Sequence, residues 1–126
     1  GSRSSQPVSL VDLYPTLLDL VGIGPRPEHL DGESMVRLLE NPAVRRNRPV
    51  VTAAGGGDQA GYAVRDERWR YVRYGDGKEE LYDHGHDPHE WTNVAGKPEN
   101  RELIKLLGAS VPPRWAAASR PIPASS

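Results

Sequence analysis

The chain has 126 residues, a formal net charge of -1, no cysteine and a hydrophobic fraction of 37%. This length predicts one domain with a modest core, and the lack of cysteine excludes a disulfide framework, cysteine-ligated zinc and a thiol nucleophile. Charges of both signs are interspersed without a basic stripe, and no apolar run is long enough to span a membrane, so we expect no nucleic-acid partner and no membrane span.

The first strong pattern is a helix that follows a short lead. Residues 1–6 (GSRSSQ) predict a flexible lead or tag remnant, and PVSLVDLYPTLLDLVG (7–22) is apolar nearly all round. Because proline is tolerated only in a first turn, Pro15 favours a helical turn over residues 12–14 that leads into a regular helix ending at Gly22. One helical face carries Leu10, Tyr14, Leu17 and Val21. A helix of this kind is expected to be buried on more than one side.

A second, shorter helix is predicted over residues 33–41 (ESMVRLLEN), where Pro42 ends it. Its inward-facing residues are expected to be Met35, Val36, Leu38 and Leu39. The basic segment PAVRRNRP (42–49) is typical of a solvated linker. Among the acidic residues of the first helix, Asp12 is expected to be a cap and Asp19 a surface carboxylate.

Strand periodicity begins in the middle of the chain. PVVTAA (49–54) predicts a buried strand, and GGGDQAG (55–61) a mobile loop. Residues 62–83 alternate between apolar or aromatic and polar side chains, which is typical of antiparallel strands with one solvent-exposed face. A hairpin turn is predicted between them at YGDG (74–77). KPENRELIKLLG (97–108) predicts a closing helix. The predicted fold class is α+β, a small antiparallel sheet with flanking helices.

These elements divide the chain into four predicted regions. They are the lead 1–6, a helical segment 7–48, a sheet with its closing helix 49–108, and a Pro/Ala/Ser-rich tail 109–126. With 12 prolines, 13 glycines and no phenylalanine, we expect a small core and surface that belongs against another piece of protein.

The segment LYDHGHDPHEW (81–91) is dense in groups that ligate metals or transfer protons. Three interpretations are open: a structural turn, a metal site formed by the histidines, and a rim that faces a substrate. The turn is favoured, because Asp-Pro followed by Glu is common turn chemistry in which the side chain of Asp87 caps the next amides.

Two further patterns have a chemical and a structural interpretation. The glycine-rich loop 55–61 lacks the Lys-Ser/Thr pair of a phosphate-binding loop, so a mobile loop is favoured. The run RDERWRYVRY (65–74) suits an anionic sugar or nucleic acid, but an alternating strand with paired arginines is favoured. The expected partners of those arginines are Asp66, Glu67, Glu79 and Glu80. No Ser-His-Asp order and no GxSxG elbow is present, so the residues alone contain no complete active site.

Three stretches in order resemble the C-terminal portion of type I sulfatases. They are PVSLVDLYPTLLDLVG (7–22), LDGESMVRLL (30–39) and YAVRDERWRYVRYGDGKEELYDHGHDPHEWTNVAG (62–96). The likeness is to the iduronate-2-sulfatase-like branch of the alkaline phosphatase superfamily, and it covers residues 7 to about 107. It implies that residues 7–48 end a catalytic domain and that residues 49–108 form the C-terminal subdomain of a sulfatase fold.

The resemblance also implies the chemistry of a parent enzyme. Members hydrolyse sulfate esters with a formylglycine made in a C/S-x-P-S-R motif and with a calcium ion. That motif is absent here, so no catalytic residue and no metal ligand carries over, and the fragment alone is expected to be inactive. Calcium and formylglycine are expected in the parent, in the missing N-terminal catalytic domain that would be this chain's partner. The family suggests a periplasmic, secreted or lysosomal compartment.

The family further implies that this subdomain borders the substrate cleft. The exposed polar residues Gln59, His84 and His86 are therefore predicted to contact a sulfated sugar substrate. The alternative function is an independent module that binds an anionic glycan through the Arg/aromatic strand without catalysis. A third possibility is a stand-alone metal-binding protein that uses the three histidines.

Overall fold

The computed structural model describes residues 1–24, 29–55 and 60–111. Within these ranges the chain forms two compact units. The first unit comprises the described residues of 1–50 together with Arg65–Glu67, and the second comprises the described residues of 51–64 and of 68–111. None of the described helices is long and apolar enough to cross a membrane.

The described residues form helices and one sheet. In chain order the elements are a 3₁₀ turn Leu10–Asp12, α1 Leu13–Val21, α2 Val36–Glu40, β1 Val50–Ala54, β2 Gly61–Arg65, β3 Trp69–Arg73, β4 Glu79–Asp83, a 3₁₀ turn Pro98–Asn100 and α3 Arg101–Gly108. Among the described residues, four strands form an antiparallel sheet in the order β1-β2-β3-β4. The predicted α+β class is confirmed.

Helix α1 ends at Gly22 as predicted, but it begins at Leu13, within the turn predicted over residues 12–14, and it lacks the predicted burial. Pro15 lies in its first turn, and Gly22 ends it in the left-handed conformation with φ 67°, which favours glycine. Its buried residues are Pro15 and Thr16. The apolar face is exposed, with Leu10 at 84% and Leu17 at 59% of full exposure. Burial on more than one side is therefore wrong for the described chain.

Two other elements are less buried than the sequence predicts. Helix α2 is shorter than the predicted 33–41, and Leu39, expected to face inward, is exposed. Strand β1 is exposed at its last three residues, although a buried strand was expected over 49–54. It lies at one end of the strand order, where a strand pairs on one side only.

The core of the second unit lies between the sheet and α3. Val64, Tyr71, Leu81 and Leu107 are buried together. Tyr71 of β3 stands opposite Leu81 of β4 in the antiparallel register. The hairpin between these strands turns as predicted at residues 74–77, where Gly77 has φ 84° and its amide donates to the Tyr74 carbonyl at 3.0 Å. This core fixes the end of β4, from which the polar turn begins.

Candidate functional site

The polar turn of residues 83–92 starts from a firmly held carboxylate. Asp83 accepts hydrogen bonds from Nε and Nη2 of Arg68 at 2.7 and 2.6 Å, and from the Gly85 amide at 3.0 Å. His86 Nδ1 lies 2.9 Å from the same carboxylate. The Arg68 guanidinium, the largest influence, holds the pKa of Asp83 well below its ordinary range. Such bidentate arginine–carboxylate pairs are strong and directional, so they fix where the turn begins.

Glu90 holds the other side of the turn. Its carboxylate pairs with Arg70 and lies 2.6 Å from Nε2 of His84. The backbone of Glu90 has φ 60°, a left-handed conformation that a non-glycine residue rarely adopts. The two side-chain contacts offset the strain of that backbone, which is on the order of 1 kcal/mol.

Asp87 of the turn and Asn93 just after it satisfy backbone groups. The Thr92 amide donates to Oδ2 of Asp87 at 2.8 Å, and this bond is the largest influence lowering the pKa of Asp87. Oδ1 of Asn93 accepts the Leu81 amide at 3.0 Å, and its Nδ2 donates to the Glu79 carbonyl at 3.2 Å. Asn93 therefore covers the edge of β4, and these bonds agree with the turn interpretation.

The predicted rim residues have different surroundings. His84 is half-buried, with 20% of its side chain exposed, whereas His86 is 80% exposed. Gln59 lies outside the described residues. His86 also borders a cavity of about 390 Å³. Its other lining residues include Trp69, Asp83, Asp87, Lys97 and Asn100. His86 is thus available to a ligand, and His84 is part of the turn's framework.

Two arginines of this run, Arg68 just before β3 and Arg70 within it, have ion-pair partners outside the four acidic residues that were predicted. Arg68 pairs with Asp83 and Arg70 with Glu90, rather than with Glu79 or Glu80 across the hairpin. The antiparallel register explains the difference, because the start of β3 stands opposite the end of β4. With these two guanidinium groups in ion pairs, the alternative of an anionic-glycan module on this strand gains no support and stays a prediction.

The sequence interpretation missed a buried ion pair in the first unit. Asp12, expected only as a cap, is 3% exposed, and its Oδ2 lies 2.8 Å from Nη1 of Arg46. Arg46 was assigned to a solvated linker, but its side chain is 8% exposed. Asp12 also accepts the Ser9 amide at 3.0 Å and the Glu33 amide at 2.9 Å. Burial opposes ionisation, but Arg46 and these amides outweigh it and lower the pKa of Asp12.

The chain is similar to proteins that are named as sulfatases. It is 32% identical over 112 residues to a Sulfatase of Formosa agariphila, with 89% of this chain and 21% of that protein covered. It is 41% identical over 118 residues to Arylsulfatase K of Gallus gallus, with 82% of this chain and 22% of that protein covered. The chain therefore spans about a fifth of the length of these curated relatives.

Solved structures share the fold. A structure described as a 2-O GAG sulfatase matches with a TM-score of 0.64 and 32% identity, covering 78% of this chain and 22% of that chain. Phosphonate monoester hydrolase of Agrobacterium radiobacter matches with a TM-score of 0.59 and 28% identity, covering 78% of this chain and 23% of that chain.

The fold and these relatives define a C-terminal segment of a sulfatase. The chain belongs to the family described as N-sulphoglucosamine sulphohydrolase, C-terminal, whose model matches residues 1–112. The sulfatase resemblance is confirmed, whereas membership of the iduronate-2-sulfatase-like branch stays a prediction.

The groups that the sulfatase family brings to catalysis do not fit the residues of this chain. Formylglycine arises in a C/S-x-P-S-R motif, which the sequence lacks. Across residues 1–24, 29–55 and 60–111, no three His, Asp or Glu side chains converge as ligands, although a calcium site needs several oxygen donors. No catalytic step is therefore assigned to a residue of this chain.

Proposed function

We propose that this chain is the structural, non-catalytic C-terminal part of an enzyme that hydrolyses sulfate esters of sugars. In this proposal it completes the fold of the parent and borders the substrate cleft. The observation that carries the proposal is the exposed apolar face of α1, because a free-standing domain gains nothing from leaving such a face in water.

The face of α1 suits the N-terminal part of a sulfatase. Leu13, Leu17 and Leu20 of α1, and Leu10 of the 3₁₀ turn before it, are all about half exposed or more. Burial of a leucine side chain contributes roughly 1.5–3 kcal/mol, so covering several of them stabilises an interface considerably. Because the chain matches only about a fifth of its curated relatives, the rest of such a protein is a partner of suitable size.

A substrate-contacting role is proposed for the exposed edge of the polar turn. His86 is accessible to a ligand, since its side chain is 80% exposed, and it borders a cavity with Lys97. An imidazole and an ammonium group both donate hydrogen bonds to sulfate or sugar oxygens. A relative described as a 2-O GAG sulfatase supports a sulfated sugar as the substrate class.

Hydrolysis of an aryl sulfate and of sulfated oligosaccharides tests the proposed function. The full-length product of the gene, matured with formylglycine and supplied with calcium, is compared with the 126-residue chain. We expect activity in the full-length product and none in the chain alone. Activity in the chain, or inactivity of a matured full-length product on every sulfate ester, contradicts the proposal.

The rim role is tested by His86→Ala in the full-length enzyme. We expect KM for a sulfated oligosaccharide to rise about threefold to tenfold while kcat stays nearly unchanged, since loss of one contact made equally in ground and transition states affects binding alone. His29→Ala is the matched control, because His29 is an exposed histidine in the first unit. Equal kinetics for both variants refutes the rim role.

A further inference from the structure

The first unit contains a cavity of about 300 Å³ beside α2, remote in sequence from the polar turn. Four arginines and one glutamate line it, together with smaller side chains. The lining residues used below are Glu33, Ser34, Arg37, Arg45, Arg46 and Arg48. Its volume is at the lower end of small-molecule sites, roughly 300–1,000 Å³, and is suited to one sugar ring or a small anion.

Arg46 lines one side of this cavity, and its side chain is held in place by ion pairs. Its guanidinium is held by Asp12 at 2.8 Å and lies 3.6 Å from the Glu33 carboxylate, so it is anchored and its charge is balanced. Arg45 and Arg48 lie one and two residues from this held arginine on the same short segment. The segment therefore presents its other arginines at a defined place.

The other three arginines retain positive charge that is available to a ligand. Arg48 donates to the carbonyl oxygen of Asp31, which satisfies a donor without neutralising the cation. Arg45 lies 3.5 Å from Glu67 with 81% of its side chain exposed, and pairs of this kind are weak. Within the part of the chain that the structure describes, Arg37 forms no ion pair.

Guanidinium groups in this arrangement select oxyanions. Arginine presents a planar fork of donors that matches sulfate and carboxylate oxygens, and Ser34 adds a hydroxyl beside them. We propose that this cavity is an accessory subsite for a sulfate group of a sulfated saccharide, separate from the ester that is cleaved. The choice of a saccharide rests on the proposed function, whereas the oxyanion chemistry rests on the arginines.

The subsite is tested by binding to the 126-residue chain, which needs no catalysis. Isothermal titration compares a disulfated disaccharide, its desulfated counterpart and inorganic sulfate, at low and at high salt. The variant is Arg37→Gln with Arg48→Gln, and the control is Arg101→Gln, an exposed arginine at the start of α3. Circular dichroism and backbone NMR spectra check that every variant keeps the fold.

We expect the sulfated disaccharide to bind more tightly than its desulfated counterpart or sulfate alone, with affinity that falls as salt rises. The double variant is expected to weaken this binding about tenfold, and Arg101→Gln to leave it unchanged. The subsite is refuted if Arg101→Gln weakens binding as much as the double variant does. It is also refuted if the desulfated disaccharide binds as tightly as the sulfated one. Binding of inorganic sulfate with no gain from the sugar overturns its assignment to a saccharide.

The outcome separates this inference from the proposed function. In one outcome, the double variant Arg37→Gln/Arg48→Gln changes neither the sulfatase activity of the full-length enzyme nor binding by the chain. That result refutes the subsite and leaves the proposed function standing. Arginine-dependent binding in the chain together with an inactive full-length product leaves the subsite and removes the sulfatase proposal.

Discussion

At the scale of single residues, the carboxylate of Asp12 joins parts of the first unit that are far apart in sequence. It accepts the amides of Ser9 and Glu33 and the guanidinium of Arg46, which lies 34 residues further along the chain. Thr16 extends the same network, because its hydroxyl donates to the Asp12 carbonyl at 2.6 Å and accepts the Met35 amide at 2.9 Å. The start of α1 is thus held by polar contacts.

Replacement of this carboxylate destabilises the first unit. We expect Asp12→Asn to lower the free energy of unfolding by roughly 3–5 kcal/mol, because it removes the closer and more buried of the two carboxylates that pair with the buried Arg46 cation. Urea denaturation of the chain measures the effect. Asp76→Asn is the control, since Asp76 forms an exposed pair with Lys78, and it should leave the midpoint nearly unchanged. Equal midpoints for the two variants contradict the structural role of Asp12.

The same carboxylate makes the free energy of unfolding depend on pH in the acidic range. The pKa of Asp12 in the fold is lower than its ordinary value of 3.8, so its stabilising contribution is complete above that value. The contribution is lost as the pH falls from 3.8 through the lowered pKa of the fold. Melting temperatures from about pH 6 down to about pH 2 should therefore fall less steeply for Asp12→Asn than for the unchanged chain. Parallel curves would count against this linkage.

At the scale of elements, local signals predicted the end of α1 and the position of the hairpin turn, but not the start of α2, which begins at Val36 rather than at residue 33. Pro15 indicated the first turn of α1 and Gly22 indicated its end. The YGDG sequence, in which Gly77 has a positive φ, indicated the turn of the β3–β4 hairpin. The same signals did not predict exposure, because burial depends on what packs against an element. They also did not predict that Arg46 is buried, since its partner Asp12 is distant in sequence and its neighbours are polar.

Hydrogen exchange of the isolated chain should distinguish the paired strands β3 and β4 from the exposed helix α1. Amides of β3 and β4 are expected to exchange slowly, because these strands pair with each other over the buried residues Tyr71 and Leu81. Amides of α1 are expected to exchange faster, because most of its apolar side chains are exposed. If α1 proves to be the best-protected element, the view that it lacks its natural partner is wrong.

At the scale of the whole molecule, the order of three motifs predicted the family, while their side-chain contacts needed the structure. Asp87, Glu90 and Asn93 are recognisable as a pattern, but their roles differ. Asp87 binds a backbone amide, Glu90 holds His84 and Arg70, and Asn93 covers a strand edge. Sequence alone also placed His84 and His86 together as rim residues, although only His86 is largely exposed.

Substitution of the α1 face tests how this chain fits into a larger protein. If α1 docks on the N-terminal part as proposed, Leu17→Ser removes apolar contact there, and we expect it to reduce the yield and melting temperature of the full-length enzyme. In the isolated chain, where Leu17 is 59% exposed, the same change should cost little stability. Leu106→Ser, at an exposed leucine of α3, is the control. Indistinguishable effects of the two substitutions in the full-length enzyme contradict docking through α1.

The left-handed backbone of Glu90 has a consequence for engineering this protein. Backbone preference at φ 60° favours glycine or asparagine, whereas His84 and Arg70 require a carboxylate at the same position. A saturation library at residue 90 should therefore have no substitute that satisfies both demands. Glycine and asparagine relax the chain but release two side chains, and aspartate keeps the charge but is too short to reach both. Stabilising changes are better sought elsewhere in the turn.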